Sequence, residues 1–173
     1  MYIFAYVYIA IAVAAFLAYL LAGMSLFDAV CHAMSVVATG GFSTRNTSIA
    51  AFDSRWIEGV TMIFMYLSSL HFGVLYMTVV TRSFRPMKNP VFKFYTISVL
   101  VVSSVLAIGL RAHGDCSAWG EALWKGTFST LAISSTTGFA IIDNACWPVW
   151  MSMMLVMVGI VCGCSGSTSS GLK

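Results

Sequence analysis

The chain has 173 residues, of which 60% are hydrophobic and 9% are charged, and its mean hydropathy is +0.90. So few charges exclude an ordinary soluble domain, in which about a quarter of the residues are charged. The net charge of +3 comes without a basic stripe interleaved with aromatic residues, so the sequence predicts no nucleic-acid partner. We therefore expect an all-α integral membrane protein in contact with lipid.

Six apolar segments follow one another along the chain. Four are long enough to cross a bilayer, namely residues 2–22, 56–81, 91–110 and 148–162. The first of these has no charged residue and no basic start, which favours a retained transmembrane helix over a signal peptide. Two shorter segments, residues 26–38 and 123–135, cannot span a bilayer and suit helices that enter it only halfway.

The first short helix has recognisable ends. Ser25 and Asp28 fit a capping box, in which the serine side chain accepts from an early backbone N–H and the acid favours the positive helix end. The helix should stop at Thr39-Gly40-Gly41, because consecutive glycines permit backbone angles that other residues resist. Its negative C-terminal end would then point toward a dehydrated cation.

Both short helices end in matching loops, TGGFS at residues 39–43 and TTGFA at residues 136–140. The offset between them is constant, since 136 − 39 = 97 and 138 − 41 = 97. A shared Thr-x-Gly-Phe core in register predicts two tandem repeats, each a helix, a re-entrant half-helix with its pore loop, and a second helix. The predicted organisation is a first repeat at residues 1–82, a cytoplasmic connection at 83–90 and a second repeat at 91–173.

Non-helical backbone at membrane depth persists only where it is buried in protein or lines water, so the two loops predict a pore or cavity. Their carbonyl oxygens would replace the hydration shell of an ion, and backbone carbonyls suit a large monovalent ion, because no fixed carboxylate is needed to hold it. Phe42 and Phe139 are expected to wedge each loop against the surrounding helices. The predicted filter residues are Thr39, Gly40, Gly41, Phe42, Thr136, Thr137, Gly138 and Phe139. No organic cofactor and no enzymatic activity are expected.

The charges predict an orientation. The stretch at residues 82–93 carries four basic residues and no acid, which favours a cytoplasmic location. Both glycine loops would then enter the membrane from outside. Asp143 and Asn144 follow the second loop, where they either raise the cation concentration at the outer mouth or form a solvated turn.

The last apolar segment changes into glycines and serines while still about 20 to 30 Å below the outer face at the helical rise. This predicts an interrupted helix at membrane depth, whose hydroxyl groups satisfy freed backbone groups or touch an ion. A small-residue surface for close helix packing is the alternative. The residues concerned are Gly163, Cys164, Ser165, Gly166, Ser167, Thr168 and Gly171.

Two other functions have some support from the sequence. Residues 163–166 read GxSG, which resembles the nucleophile motif of rhomboid-like intramembrane serine proteases, with Ser165 as nucleophile and His71 or His32 as base. Four letters rich in glycine and serine arise easily by chance, and this alternative leaves both glycine loops unexplained. A non-conducting structural subunit is the third possibility.

Some polar residues are given a structural interpretation. His32 and His71 fall in predicted membrane segments, where a packed, hydrogen-bonded side chain is favoured over a functional one. Cys116 and Cys146 are both predicted to be external, so a disulfide is open to them in an oxidising compartment, although the spacing alone does not establish it.

Three segments carry a resemblance to a known family: FDAVCHAMSVVATGGFST at residues 27–44, SSTTGFAIIDNACWP at 134–148 and CGCSGSTSSGLK at 162–173. The chain resembles the Trk/Ktr/HKT superfamily of potassium transporters, and most closely its bacterial TrkH branch. The resemblance implies four helix, pore loop, helix repeats around one potassium pathway, with one filter glycine per repeat, and Gly41 and Gly138 match that glycine.

The same resemblance implies that this chain corresponds to the second and third repeats and that residues 163–171 form an intramembrane gating loop. The remaining two repeats of the polypeptide would complete the pore. A homodimer in the bacterial inner membrane, seated on a cytosolic nucleotide-binding ring of the TrkA type, is the implied assembly.

Overall fold

The computed structural model describes residues 2–81, 90–114, 116–143, 147–161, 163–164 and 166–169. This part of the chain is entirely helical, with no strand, which confirms the predicted fold class. In chain order the helices are α1 (Tyr2–Leu21), α2 (Leu26–Val37), α3 (Arg55–Ser68), α4 (Phe72–Thr81), α5 (Pro90–His113), α6 (Trp119–Ser134) and α7 (Val149–Val161), with a short 3-10 helix at Ser48–Phe52.

The helices pack in two groups that share a core. In the first group α1 contacts α2, α3 and α4, and in the second α6 lies between α5 and α7. Contacts between α3 and α6 join the groups. The shared core contains fully buried side chains from both groups, among them Tyr19, Val36, Met65 and Phe128. Both helices that precede a glycine loop, α2 and α6, therefore contribute side chains to this core.

Apolar side chains cover the outside of this bundle as well. On α1 the residues Ile9, Val13 and Leu17 recur at a spacing of four and are each more than half exposed. On α5, Phe94 and Ile97 lie three residues apart and are also more than half exposed. Such stripes are unfavourable in water and suit contact with lipid. The outer surface therefore agrees with the membrane protein that the composition predicts.

Within the described residues, α5 is long and apolar enough to cross a membrane on its own, and α3 and α4 meet the same criterion as a bent pair. The shorter apolar helices are Ala5–Leu21 of α1, Leu26–Val37 and Val149–Val161. The helix α6 begins at Trp119, before its predicted start. An ion pair in its first turns, between Lys125 Nζ and Glu121 Oε1 at 2.6 Å, supports the extension.

The prediction of one continuous span over residues 56–81 is wrong. The chain bends by 102° between α3 and α4, at Ser69-Leu70-His71. No glycine or proline marks this break. Instead, the carbonyl groups of Ser68 and Ser69 turn away from the helix to partners far along the chain, so the break is stabilised by tertiary contacts.

Candidate functional site

The first loop begins where α2 ends. The Ser25 hydroxyl accepts from the backbone N–H of Asp28 at 3.2 Å, as the capping box predicts. After the C-cap residue Ala38, Thr39 takes a left-handed φ of 51° and Gly41 one of 68°. The backbone N–H of Gly40 turns back to donate to the carbonyl of Ser35 at 2.8 Å. The helix therefore ends in a tight, bonded turn and not in an open coil.

The second loop repeats this backbone conformation. After the C-cap residue Ser135, Thr136 has a φ of 56° and Gly138 one of 76°. The N–H of Gly138 donates back to the carbonyl of Ala132 at 2.9 Å. A threonine at positive φ is uncommon, so its presence at matched positions of both loops indicates a common structure and not two chance turns.

The two loops lie against each other. A Cβ added to Gly41 would overlap the carbonyl oxygen of Thr137, and it would lie 3.0 Å from the carbonyl carbon of that residue. Glycine is therefore required at position 41 for two reasons, the positive φ and the closeness of the second loop. The segments 39–42 and 136–139 thus meet, with Thr137 and Phe139 buried and with Gly40, Phe42 and Gly138 exposed.

The outer faces of the two loops differ. Within the part of the chain that the structure describes, no atom lies within 4 Å of a Cβ added to Gly138. Phe139 is 3% exposed and stacks on the ring of His32, so it wedges its loop as predicted. Phe42 is 82% exposed, so among the described residues the same prediction fails for Phe42. The reason is geometric, because the described helices of this chain leave that ring uncovered.

The glycine- and serine-rich segment after α7 folds into the break between α3 and α4. The backbone N–H of Cys164 donates to the carbonyl of Ser69 at 2.9 Å. Thr168 donates to the carbonyl of Ser68 through its hydroxyl at 3.1 Å, and the N–H of Phe72 donates to Gly166 at 3.1 Å. The broken span and the segment therefore satisfy each other's backbone groups.

Two glycines permit this contact. A Cβ at Gly163 would lie 2.9 Å from the carbonyl oxygen of Ser69, and one at Gly166 would lie 2.7 Å from Nε2 of His71. Gly166 also has a positive φ of 80°. The pair Ser68-Ser69 followed by His71 is the one sign of the break in the sequence. It is a weak sign, since serine and histidine also occur within helices.

The segment also reaches the first loop. The Thr39 hydroxyl lies 2.8 Å from the carbonyl of Ala38 and 3.1 Å from that of Thr168, and donates toward both. Ser167 is tied within the segment, its hydroxyl donating to the carbonyl of Cys164 at 2.6 Å. The segment therefore packs directly against the residue that opens the first loop.

Some of the positions singled out in the sequence lie outside the described residues. These are Ser165 and Gly171 of the segment, Asn144, Cys146, for which the sequence leaves a disulfide open, and the basic stretch at residues 82–89. His71 lies beside Gly166, and its Nδ1 accepts from the N–H of Gly73 at 3.0 Å.

Asp28 organises the N-terminal end of α2. Its carboxylate accepts hydrogen bonds from Ser25, Thr44 and Arg45, the last also an ion pair at 2.9 Å. These bonds, that from the Thr44 hydroxyl first, lower the pKa of Asp28 to about 2. Arg45 follows the first loop, and its charge is balanced by this partner.

A cleft of about 500 Å³ lies beside the second loop, between its exit and the 3-10 helix. The two sides are held by backbone contacts, since Ala50 donates to the carbonyl of Ala140 and Ala140 donates to the Ser48 hydroxyl, each at 3.2 Å. Asp143 lines the cleft. The wall therefore combines one acidic side chain with hydroxyl and backbone groups.

The whole chain, residues 1–173, matches the protein family described as TrkH, cation transport protein. It is 34% identical over 172 residues to the Trk system potassium uptake protein TrkH of Vibrio parahaemolyticus, covering 97% of this chain and 35% of that protein. The Escherichia coli protein of the same name is 30% identical over 168 residues, or 96% of this chain and 35% of the relative.

The crystal structure of the potassium transporter TrkH from Vibrio parahaemolyticus superimposes with a TM-score of 0.89 at 31% identity. The match covers 96% of this chain and 36% of that one. The chain thus spans about a third of the length of the relatives that it matches.

Proposed function

The chain belongs to the TrkH family of cation transport proteins, and on this basis we propose that it forms half of a potassium pathway in a bacterial inner membrane. The observation that carries the proposal is the pair of loops with left-handed Thr39, Gly41, Thr136 and Gly138, in contact through Gly41 and Thr137. Carbonyl groups of residues 39–42 and 136–139 would replace water around the ion.

Two loops supply half of a coordination ring. Two more repeats of the same polypeptide would supply the rest, since the chain spans about a third of its relatives. The exposed Phe42 and the open side of Gly138 give each neighbouring repeat a surface to cover. The repeats would be residues 1–82 and 91–173, with the basic connection in the cytoplasm and the loops entering from outside.

The segment 163–171 would act as the gate. Its support is the set of hydrogen bonds to the broken span and to Thr39, which hold it directly beneath the first loop. In this position the segment would obstruct the pathway, and its withdrawal would open the pathway. A homodimer on a cytosolic nucleotide-binding ring of the TrkA type would provide regulation.

The test uses the full-length protein in a strain that lacks its own potassium uptake. Gly41→Ser and Gly138→Ser should lower the ratio of potassium to sodium uptake, because each adds a side chain where a carbonyl must be placed. Ser165→Ala should leave uptake largely intact. Growth at limiting potassium and ion uptake into cells measure both. Loss of peptide cleavage by Ser165→Ala, with unaltered selectivity in the glycine variants, would favour the rhomboid-like protease instead.

A further inference from the structure

His32 lies on α2, one turn after Asp28, and its side chain is fully buried. Both ring nitrogens have partners. Nδ1 lies 2.8 Å from the carbonyl oxygen of Asp28, and Nε2 lies 2.9 Å from the hydroxyl oxygen of Ser43. A carbonyl oxygen only accepts, so Nδ1 carries the proton. In the neutral ring Nε2 then accepts from Ser43.

The faces and edges of the same ring are also occupied. Phe139 stacks on it with the ring centres 5.8 Å apart and the planes at 28°. Phe52, at the end of the 3-10 helix, meets it edge-on at 5.3 Å. The ring is thus fixed in position and rotation by directional contacts on several sides.

Two of these partners belong to the two loops. Ser43 directly follows Phe42 at the end of the first loop, and Phe139 directly follows Gly138 in the second. One rigid imidazole therefore links the exits of both loops to α2. Packing alone would be served by a phenylalanine or leucine, whereas the two hydrogen bonds require a histidine.

The second repeat has no such side chain at the matched position. Ser129 stands there on α6, since 129 − 32 = 97. A serine side chain is too short to join a neighbouring loop in this way. Among the described residues, the histidine link is therefore specific to the first repeat.

We propose that His32 is a positioning residue for ion selectivity, and that its bond to Ser43 and its stacking on Phe139 set the spacing between the two loops. The inference rests on the proposed function, because the spacing matters only if the loops coordinate an ion. Discrimination between potassium and sodium depends on the placement and field strength of the carbonyl groups, so a loosened pair of loops would discriminate less.

The experiment measures the ratio of potassium to sodium uptake by the full-length protein, normalised to the amount of protein in the membrane. His32→Phe keeps an aromatic ring and removes both hydrogen bonds, so the ratio should fall by about threefold to tenfold. His32→Asn restores a donor near the position of Nδ1 and should recover part of the ratio. Tyr19→Phe is the matched control, since it removes one buried hydrogen bond, to Thr61 at 3.0 Å, in the same core. This control should keep the wild-type ratio.

Ser43→Ala removes the hydrogen bond between Ser43 and His32 from the loop side. It is the substitute variant if His32→Phe does not reach the membrane. It should lower the ratio in the same direction, and the double variant should be no worse than His32→Phe alone, because both remove one shared bond. A wild-type ratio in both single variants, with the ratio lost in Gly41→Ser, would overturn the role of His32 and leave the proposed function standing. An unchanged ratio in Gly41→Ser as well would overturn both.

Discussion

The two glycine loops share a backbone and differ in what surrounds them. Gly41 is closed by the carbonyl of Thr137, whereas Gly138 faces open space within the described residues. Phe139 is buried on His32, whereas Phe42 is exposed. Among the described residues, the first loop therefore has a covered glycine and an exposed phenylalanine, and the second loop has the reverse. We conclude that conformation is set locally by the Thr-x-Gly-Phe sequence, and that burial depends on the adjacent repeat.

The serine substitutions at the two glycines test this comparison with the largest expected effect. Among the described residues, the side chain added by Gly41→Ser must overlap Thr137. Gly138→Ser meets no neighbouring atom, so its cost is the strain of a left-handed backbone at a residue other than glycine, about 1 to 2 kcal/mol. In the full-length protein we expect similar, severe losses of selectivity, because a further loop would cover Gly138. If Gly138→Ser is about tenfold milder in uptake assays, no further loop packs there and the four-loop ring is wrong.

The phenylalanines offer a second test, measured as melting temperature in detergent. Phe139→Ala should destabilise the full-length protein by about 3 to 5 kcal/mol, the usual effect of removing a buried ring. Phe42→Ala should destabilise the full-length protein by nearly the same amount, since we expect a preceding repeat to bury that ring. A change within about 0.5 kcal/mol for Phe42→Ala, as at an ordinary surface position, would show that this face stays uncovered.

The first loop also differs in contacting the glycine- and serine-rich segment, through Thr39 and Thr168. Gly166→Ala would place a methyl group 2.7 Å from Nε2 of His71 and so displace the segment. We expect potassium uptake under resting conditions to rise severalfold. Gly120→Ala is the control, since a Cβ there has no atom within 4 Å among the described residues. A fall in uptake with normal protein levels would contradict a gating role.

The smallest effect is expected at Asp28, which anchors the exit of the first loop through Thr44 and Arg45. The matched position in the second repeat is Lys125, since 125 − 28 = 97. The folded pKa of Asp28, about 2, lies below its unfolded value. Its stabilisation is therefore complete above about pH 4 and is lost as the pH falls toward 2.

Asp28→Asn should accordingly melt a few degrees lower than wild type at neutral pH, and the two melting curves should converge in acid. Melting temperatures recorded between pH 7 and pH 2 provide the measurement. A difference that stays constant down to pH 2 would mean that the charge of Asp28 is not what stabilises this end of α2.

The sequence predicted the elements that local chemistry determines. The capping residues Ser25 and Asp28 and the repeated loops follow from spacing and residue type. The existence of α5 follows as well, although the helix runs from Pro90 to His113 and so exceeds the predicted residues 91–110 at both ends. The packed interpretation of His32 is confirmed, but the residues alone did not show that its partners would be Ser43 and Phe139. Those partners depend on how the two repeats face each other.

The break in the second span could not be predicted in the same way. Nothing at Ser69-Leu70-His71 forbids a helix, and the groups that stabilise the bend come from Cys164, Gly166 and Thr168, far along the chain. The exposure of Phe42 escaped prediction for the opposite reason. A pattern of apolar residues indicates that a ring will be covered, but not which segment covers it.

The interlocking of the broken span with the segment beneath the first loop has a consequence for movement. If residues 163–164 and 166–169 withdraw, the carbonyl oxygens of Ser68 and Ser69 lose their hydrogen-bond donors, and the N–H of Phe72 loses its acceptor at the same time. Deep in a bilayer such orphaned groups are costly, so water must flow in or the span must straighten at the same moment. Opening and wetting of the interior would then be a single cooperative event.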